Sequence, residues 1–369
     1  LTPEPVESSL PTPEPTDEAP HMTPTPTRTP VATPTPEPEA TPAPTPEPLS
    51  EYYEQTPLTA EQLAQFEADN NDNRYVNVLL IGADRRATKG RYNADTMMIA
   101  TVDTVNNRLK LTTLMRDMLV DVPGHGYRKL NSTVALGGVE LLYQTIEHNF
   151  LFKLTDYVMV DLLAFVDVVD AIDGVTVEMT AEEISAANDC IAGLNKQLGV
   201  EYLWDGFIFA DPGPVHLNGK QALGYARIRK LDSEFVRTGR QFKVLNMIFA
   251  KFRKFSVTKQ YELLYKLLPL VETSMTNDEI IDAAAKLLST GQRGLMYYRL
   301  PIEGLYQNGK WEKHFVFFCD MGAMSVKLNE FVFHNADEVK SAVEQTPNPS
   351  LPPGGYNPRR APATQAPTG

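Results

Sequence analysis

The stretch 75–114 reads YVNVLLIGADRRATKGRYNADTMMIATVDTVNNRLKLTTL and carries the strongest β-sheet signal in the chain. Runs rich in β-branched and aliphatic residues, which predict strands, lie at 75–81, 96–102 and 108–114. Gly82 ends the first run, and Val105-Asn106-Asn107 supplies turn residues between the other two. The stretch therefore predicts one strand that stops at a glycine turn, followed by a tight β-hairpin.

Strand and helix patterns alternate through the rest of the central region. Residues 156–160 and 175–179 read as strands, and Tyr225-Ala226 with the residues that follow reads as another. A short lead-in helix is expected within 51–73. Apolar residues at helical spacing predict helices at 130–150, 162–172, 241–255, 261–268 and 278–288. This alternation, with one hairpin, predicts an α/β fold whose mixed central sheet is flanked by helices.

The two ends of the chain differ in composition from its centre. More than half of the 29 prolines lie in the first 48 residues, within Thr-Pro, Glu-Pro and Ala-Pro repeats that offer few apolar side chains to bury. Proline fixes φ and donates no amide hydrogen bond, so such sequence predicts an extended tether. We expect a Pro/Thr/Glu-rich tether at 1–73, one folded domain at 74–345 and a Pro-rich tail at 346–369.

Charge and apolar patterning narrow the class of protein. The formal net charge is −13 and there is no basic stripe, which argues against a nucleic-acid partner. No uninterrupted run of about eighteen apolar residues occurs, so no membrane span is expected within the chain, and an anchor upstream of it is left open. Cys190 and Cys319 fit either two buried thiols or one disulfide.

Arginines recur beside acids or in pairs despite the surplus of negative charge. They occur in Asp84-Arg85-Arg86, Arg116-Asp117, Arg227-Ile228-Arg229 and Arg237-Thr238-Gly239-Arg240-Gln241. A planar guanidinium forms forked hydrogen bonds with phosphate oxygens. The pattern predicts a pocket for a phosphorylated substrate, which we interpret as one that carries a diphosphate.

Two acidic residues are candidates for a metal site at the edge of the predicted sheet. Asp84 follows the first strand and Asp95 precedes the second, so neighbouring strands would bring their carboxylates together. Carboxylates beside a diphosphate supply the hard oxygen ligands that Mg²⁺ requires. The alternatives are a solvated turn at Asp84 and a turn-capping role for Asp95. Arg116 would lie at the same edge, or would form an exposed ion pair with Asp117 of little energetic value.

Two further arginine groups are interpreted from their local structure. If 225–229 is a strand, Arg227 and Arg229 share one face and repel each other unless an anion lies between them. The alternative is two solvated arginines. Arg237, Arg240 and Gln241 share one face of the first turns of a predicted helix, whose free amides and dipole attract anions.

Taken in order, these segments resemble the LytR-CpsA-Psr family of cell-wall glycopolymer transferases. The resemblance rests on VNVLLIGADRR (76–86), NADTMMIATVD (93–103), LMRDMLVDVPG (114–124), RKLNSTVALGGV (128–139), DYVMVDLLAFVDVVDAIDGV (156–175) and, most specifically, LNGKQALGYARIRKLDSEFVRTGRQ (217–241). It implies a domain with an apolar tunnel that holds a polyprenyl chain. We expect that tunnel between the sheet and the helices at 130–150, 162–172 and 241–255.

The resemblance also implies an activity and a set of site residues. Members of the family transfer a glycan phosphate from a polyprenyl-diphosphate-linked donor to peptidoglycan, usually to a muramic acid hydroxyl, with Mg²⁺ as cofactor. On the matched positions the metal would be bound by Asp84 and Asp95. The expected catalytic residues are Asp84, Asp95, Arg116 and Asp117, with Asp95 and Asp117 as the two candidates if a carboxylate takes the hydroxyl proton. The diphosphate would be held by Arg86, Arg116, Arg227, Arg229, Arg237 and Gln241, supported by Lys129 and Arg240.

The expected partners are the lipid-linked glycan, peptidoglycan and, through an anchor not in this chain, the membrane. The expected location is the extracytoplasmic face of a bacterial membrane or the cell wall, and the polymer is teichoic acid, capsule or another glycan.

Asn93, Met115 and Glu234 depart from the family's usual arginine, proline and aspartate. Two other functions stay open: a hydrolase that cleaves the lipid-linked diphosphate with water, and a non-catalytic module that binds lipid or wall glycan.

Overall fold

A six-stranded mixed sheet forms the centre of the part of the chain that the structure describes. The structure is a computed structural model that describes residues 52–83, 92–289 and 295–334, so the predicted tail and most of the predicted tether lie outside it. The strands are β1 (Tyr75–Ala83), β2 (Ala94–Asp103), β3 (Arg108–Leu114), β4 (Leu119–Val122), β5 (Gly126–Lys129), β6 (Asp156–Asp161), β7 (Val175–Met179), β8 (Gly213–Leu217), β9 (Val271–Thr273), β10 (Met296–Leu300), β11 (Tyr306–Trp311) and β12 (His314–Cys319). The helices are α1 (Ala60–Asn70), α2 (Thr133–Phe150), α3 (Leu162–Ala171), α4 (Ala181–Leu198), α5 (Gly219–Ala226), α6 (Glu234–Phe252), α7 (Val257–Leu267), α8 (Asn277–Ser289) and α9 (Met321–Phe333).

The strands of this sheet run in the order β10-β3-β2-β1-β6-β9. The β1–β2, β2–β3 and β6–β9 pairs are antiparallel, whereas β1–β6 and β3–β10 are parallel. The predicted mixed α/β fold is therefore confirmed. The predicted hairpin is confirmed as well, because Asp103 lies opposite Arg108 across a short turn. In that turn Asn107 adopts the left-handed conformation (φ 53°), which asparagine tolerates better than most residues.

Alternating side chains give the sheet two buried faces. Leu79 and Ile81 of β1 belong to the larger apolar core, together with residues of α2 and α9. Leu80 points to the opposite face, where Phe242 of α6 stacks on Tyr297 of β10 with ring centroids 4.0 Å apart. The second face, toward α6, is the one that carries the candidate site.

The strand predicted from Tyr225 onward is wrong, because this segment is the end of helix α5. Asn218 and Gln221 form a capping box that starts the helix, each side chain accepting a hydrogen bond from the other's backbone amide. Tyr225 and Ile228 are both buried at a helical spacing of three residues, whereas residues that share one face of a strand are two apart. Arg227 is the C-cap residue, so Arg227 and Arg229 project from a helix end and the turn after it.

The other predicted elements are present with shifted ends. The helix expected at 241–255 is α6, which begins earlier because the Ser233 hydroxyl accepts a hydrogen bond from the Val236 amide and caps it there. The expected lead-in helix is α1, with Thr59 as its N-cap. Cys190 and Cys319 are free thiols, so the disulfide alternative is excluded.

Two short hairpins lie beside the end of β3. The antiparallel pair β4–β5 follows Arg116-Asp117 directly, and the antiparallel pair β11–β12 comes from a much later part of the chain. The Phe317 amide donates a hydrogen bond to the Asp117 carbonyl oxygen at 2.9 Å, and Met118 forms an isolated bridge with Phe317. These contacts tie the late hairpin to the Arg116-Asp117 segment.

Candidate functional site

Asp95 is the point at which two guanidinium groups meet. Arg116 donates from Nη1 to Asp95 Oδ1 at 3.1 Å, and Arg229 donates from Nη2 to the same oxygen at 2.9 Å. The first contact lies at the end of the β2–β3 hairpin: the last pair of that register is Met98 with Thr113, and Asp95 and Arg116 each lie three residues beyond it. The turn after α5 delivers Arg229 to the same point.

Glu234, the first residue of α6, is a second carboxylate shared by two arginines. Arg116 Nη2 donates to Glu234 Oε1 at 3.0 Å, and Arg237 Nη2 lies 2.7 Å from Glu234 Oε2. The second contact is an ion pair whose angles are not those of a hydrogen bond, since Oε2 has no hydrogen-bond donor among the described residues. From the sequence, Glu234 was expected only to differ from the family's usual aspartate. Its position three residues before Arg237, on the same helix, was the available signal of contact.

Arg237 is an incompletely paired buried cation. Its side chain is 3% exposed, and its Nε has no hydrogen-bond partner among the described residues. Burial lowers the pKa of Arg237 to about 10; Glu234 opposes that shift, whereas Arg116 and Arg229 add to it. Desolvation and two neighbouring cations thus disfavour the charge that this guanidinium carries. An anion beside it would relieve both penalties.

The cluster of Asp95, Arg116, Arg229, Glu234 and Arg237 therefore holds three guanidinium groups on two carboxylates. Guanidinium groups so close together repel one another, and their forked donors match phosphate oxygens. The arrangement leaves one net positive charge and unfilled donor capacity, which suits it to bind a phosphate or diphosphate.

An apolar cavity of about 230 Å³ adjoins this cluster. The polar part of its wall is formed by Asp95, Thr96, Asp161, Arg227, Arg229, Arg237 and Gln241. The apolar part comes from both central strands and three helices: Leu80 of β1, Met98 of β2, Phe165 and Val168 of α3, Leu223 and Ala226 of α5, and Val244, Leu245 and Ile248 of α6. A long apolar chain that ends in a phosphate group would find both of its chemistries here.

The structure corrects one wall of the predicted tunnel. The helices expected at 162–172 and 241–255, which are α3 and α6, line the cavity as predicted. The helix expected at 130–150 does not: α2 packs on the opposite face of the sheet, where Leu142 and Ile146 are fully buried in the larger core. Helix α5, whose last residues were predicted to be a strand, supplies the remaining wall of the cavity.

Arg240 does not belong to the cluster. Its guanidinium, 2% exposed, donates from Nε to Glu183 of α4 at 2.9 Å and forms a forked pair with Asp232. Successive helix residues are about 100° apart, so Arg240 and Gln241 lie on opposite sides of Arg237 although both are near it. The predicted supporting role in diphosphate binding is replaced by a structural one, because Arg240 fixes the turn after α5 to α4 and α6.

Lys129 and Asp117 form a pair on the other side of Arg116. Lys129 Nζ donates to Asp117 Oδ1 at 2.7 Å, and Arg116 Nε lies 3.4 Å from Asp117 Oδ2. Both residues face a second cavity, which is polar and does not contain Asp95. Asp84 and Arg86, the remaining predicted site residues, lie outside the described residues.

Comparisons with known proteins identify the class to which this fold and site belong. A sequence model of the LytR_cpsA_psr family matches residues 49–322. The chain is a member of the LytR-CpsA-Psr family, as the sequence motifs indicated.

Two known proteins are similar in sequence to more than half of this chain. Regulatory protein MsrR of Staphylococcus aureus is 28% identical over 248 residues, which cover 66% of this chain and 70% of MsrR. The polyisoprenyl-teichoic acid–peptidoglycan teichoic acid transferase TagU of Bacillus anthracis is 34% identical over 212 residues, 56% of this chain and 63% of TagU.

The fold matches those of solved structures of TagT. TagT bound to LIIa-WTA aligns with a TM-score of 0.55 at 22% identity, covering 72% of this chain and 92% of TagT. The family protein YwtF (TagT) with bound octaprenyl pyrophosphate lipid aligns with a TM-score of 0.51 at 21% identity, over 71% and 91% of the two chains. At this level of identity the likeness establishes the fold.

Proposed function

We propose that this protein transfers a glycan phosphate from a polyprenyl-diphosphate-linked donor to peptidoglycan. One observation carries the proposal: two guanidinium groups of the cluster, those of Arg229 and Arg237, line an apolar cavity. The lipid would occupy the cavity, and the diphosphate would lie against Arg229 and Arg237. The names of the relatives support the same class of substrate, since TagU is called a teichoic acid transferase and a TagT structure contains octaprenyl pyrophosphate.

The reaction follows from the charges that the site holds. The oxygen of an acceptor hydroxyl would attack the glycan-side phosphorus, and the bond from that phosphorus to the bridging oxygen would break. Polyprenyl phosphate would leave with the bridging oxygen, while the hydroxyl proton passes to a carboxylate, for which Asp117 and Asp95 are the candidates. Guanidinium groups fixed before the reaction would stabilise the charge that develops on the phosphate oxygens without reorganising.

Magnesium is the proposed cofactor, and the donor chemistry of Asp95 fits it. Asp95 presents a hard carboxylate oxygen within the arginine cluster, next to the proposed position of the diphosphate. Among the described residues, no group of three His, Cys, Asp or Glu side chains could hold a metal ion. A magnesium ion would therefore take its other ligands from Asp84, phosphate oxygens and water. When bound, it would neutralise negative charge on the diphosphate.

The proposed substrates place the protein on the extracytoplasmic side of a bacterial membrane, with peptidoglycan as acceptor. The transferred polymer is a wall teichoic acid, a capsule or another wall glycan. Helices of the described ranges include none with the length and hydropathy of a membrane span.

A reconstituted transfer assay tests the proposal. Purified protein, Mg²⁺, a short-chain polyprenyl-diphosphate-linked glycan and peptidoglycan should yield polyprenyl phosphate and glycan bound to peptidoglycan in equal amounts. Polyprenyl phosphate without glycan-linked peptidoglycan would identify a hydrolase instead. Binding of the donor with no product of either kind would identify a binding module. Arg237→Met should abolish product formation, and Arg74→Met, which changes an exposed arginine outside both cavities, should not.

A further inference from the structure

The α6–α7 corner (residues 243–266) is strongly basic in an otherwise acidic chain. It contains six basic residues and one acidic residue, Glu262, whereas the whole chain carries a formal net charge of −13. The basic residues are Lys243, Lys251, Arg253, Lys254, Lys259 and Lys266. A concentrated positive surface on a protein of this overall charge favours an anionic partner.

Two of these lysines serve the fold. Lys251 Nζ donates to the Gly174 carbonyl oxygen at 3.2 Å and lies 3.4 Å from the Asp173 carboxylate, which ties α6 to the turn after α3. Lys259 donates to Glu262 at 2.8 Å on the same helix. The charges of Lys251 and Lys259 are therefore partly neutralised within the protein.

Lys254 and Lys266 are available to an external partner. Both are exposed, and neither forms an ion pair with a carboxylate in the described ranges. Lys254 lies in the turn between the two helices, and Lys266 lies in the last turn of α7. An exposed lysine binds a phosphate group as a mobile point charge, which suits a surface of many phosphates.

Exposed apolar side chains accompany this charge on α7. Val257, Tyr261 and Tyr265 recur every four residues and so share one face of the helix. Val257 is 61% exposed and Tyr265 is 69% exposed, whereas Leu263 is buried against the domain. Tyrosine rings beside lysines on the outer face of a helix are typical of a helix that lies on a membrane surface.

The two helices hold this surface in a fixed shape. The Ser256 hydroxyl accepts a hydrogen bond from the Lys259 amide at 3.3 Å and caps α7. Gln260 is buried, and its Nε2 donates to the Phe252 carbonyl oxygen of α6 at 3.0 Å. The basic turn and the exposed face of α7 are thus presented together.

The corner lies at the far end of the helix that lines the apolar cavity. Arg237 and Ile248 both line that cavity, and they are about 16 Å apart along α6. Arg253 follows about 8 Å beyond Ile248. The cavity, at about 230 Å³, is smaller than the roughly 300 Å³ at which small-molecule sites begin. A long prenyl chain with its diphosphate at Arg237 would therefore extend past the cavity.

We propose that the α6–α7 corner docks the folded domain on an anionic lipid bilayer. Lys254 and Lys266 contact lipid phosphates, and Val257 and Tyr265 enter the boundary between headgroups and acyl chains. Bound in this way, α6 leads from the bilayer to the arginine cluster, so a prenyl chain can pass along it between membrane and cavity. This last step rests on the proposed function, whereas the docking itself does not.

Cosedimentation of the full chain with lipid vesicles tests the docking. One set of vesicles contains equal parts of phosphatidylglycerol and phosphatidylethanolamine, and the other contains phosphatidylcholine alone. The protein should bind the anionic vesicles and not the phosphatidylcholine vesicles. Binding should weaken as salt is added, because salt screens the attraction between lysines and lipid phosphates.

Lys254→Gln combined with Lys266→Gln should weaken binding to the anionic vesicles by about thirtyfold, as expected for the loss of two basic residues at a charged membrane surface. Lys196→Gln combined with Lys310→Gln is the matched control. It removes the same charge from exposed sites on α4 and β11, and it should leave binding unchanged. Tyr265→Ser should also weaken binding although it changes no charge.

Several results would overturn the docking. They are the absence of binding to the anionic vesicles, and equal binding by the wild type and the Lys254/Lys266 double variant. A second copy of the chain on this surface would appear as dimerisation in analytical ultracentrifugation without vesicles. Dimerisation that the same double variant abolishes would overturn the proposal as well.

Vesicle binding requires no donor, acceptor or turnover, so its failure is distinct from a failure of the proposed function. The Lys254/Lys266 double variant should transfer from a water-soluble short-chain donor at the wild-type rate. With a long-chain donor embedded in the anionic vesicles, its rate should fall by about the same factor as its binding. Docking without transfer from either donor would refute the proposed function and leave the membrane contact standing.

Discussion

Arg116 Nη1 donates a hydrogen bond of 3.1 Å to Asp95 Oδ1, and both residues lie beyond the last paired residues of the β2–β3 hairpin. Neither residue depends on a long loop for its position, because each lies within two residues of a strand terminus. Each side chain of this charge pair is thus positioned by the strand end beside it.

Asp95→Asn is expected to separate binding from catalysis. The substitution keeps the shape of the side chain but removes a negative charge from a site that would bind a diphosphate. Without Mg²⁺, a prenyl diphosphate should bind at least as tightly as to the wild type, because a like charge has been removed. Transfer in the presence of Mg²⁺ should fall by about a hundredfold. Calorimetry in the presence of a metal chelator measures the binding, and the transfer assay with Mg²⁺ measures the loss of activity.

Asp121→Asn is the control for that experiment, since Asp121 lies on β4 and pairs with His148 at the surface. It should change neither quantity. Weaker binding of the diphosphate to Asp95→Asn in the absence of metal would contradict the assigned electrostatics.

Arg237→Met should lose the ligand while the fold keeps or gains stability. Burial lowers the pKa of Arg237 to about 10, so at neutral pH the group is charged in both states and the folded state bears the cost. Glu234 retains Arg116 as a partner after the substitution. Urea unfolding should show a free energy of unfolding equal to or about 1–2 kcal/mol above that of the wild type. Stabilisation by added prenyl diphosphate should disappear.

Arg240→Met, three residues away on the same helix, should do the opposite. Burial acts to lower the pKa of Arg240, but hydrogen bonds to Asp232 and Glu183 and their charges more than offset it, so the pKa is raised. Removing this guanidinium leaves two carboxylates without their partner, and the free energy of unfolding should fall by about 3–5 kcal/mol. Prenyl diphosphate should still stabilise whatever fraction folds. Equal loss of stability in the two variants would mean that Arg237 is structural as well.

The buried pair of Asp103 and Lys110 should give the fold a characteristic pH dependence. Burial raises the pKa of Asp103, but hydrogen bonds from Asn106 and Lys110 outweigh it, and the pKa lies below its ordinary value. A lowered carboxyl pKa stabilises the fold above the unfolded value, near pH 4, and that stabilisation is lost as pH falls through the folded value. Lys110 is 1% exposed and its ammonium lies 2.6 Å from Asp103.

Asp103→Asn leaves that ammonium without its counter-ion and should lower the free energy of unfolding by about 3–5 kcal/mol at pH 7. The difference from the wild type should shrink as pH falls below 4. Asp72→Asn, which disrupts the solvent-exposed pair with Arg74, should have little effect at pH 7. Denaturant titrations at several pH values in the acid range would show whether the free energies of unfolding of Asp103→Asn and the wild type converge.

The features that the sequence predicted well are local. The hairpin, its turn and the strands on either side follow from residues within a single stretch, and the contact of Asp95 with Arg116 is implied by that register. Helices α3 and α6 were recognisable because each keeps an apolar face over several turns.

Other features depend on distant parts of the chain. Helix α5 has only eight residues and ends at Ala226, so the alternation Arg227-Ile228-Arg229 just after it resembles a strand, and the capping box at its start indicates the helix. The apolar face of α2 gives no indication of which side of the sheet it covers. Arg237 and Arg240 lie three residues apart on the same helix and look alike in the sequence. Only the folded chain shows that Glu183 and Asp232 bind Arg240.

Phe317 reaches back to the carbonyl oxygen of Asp117, and this single hydrogen bond has a consequence for biosynthesis. A nascent chain that has emerged as far as α6 already contains every described member of the arginine cluster, but it lacks β12, the strand that braces Asp117. The Arg116-Asp117 segment therefore gains this support only after β12 has been synthesised.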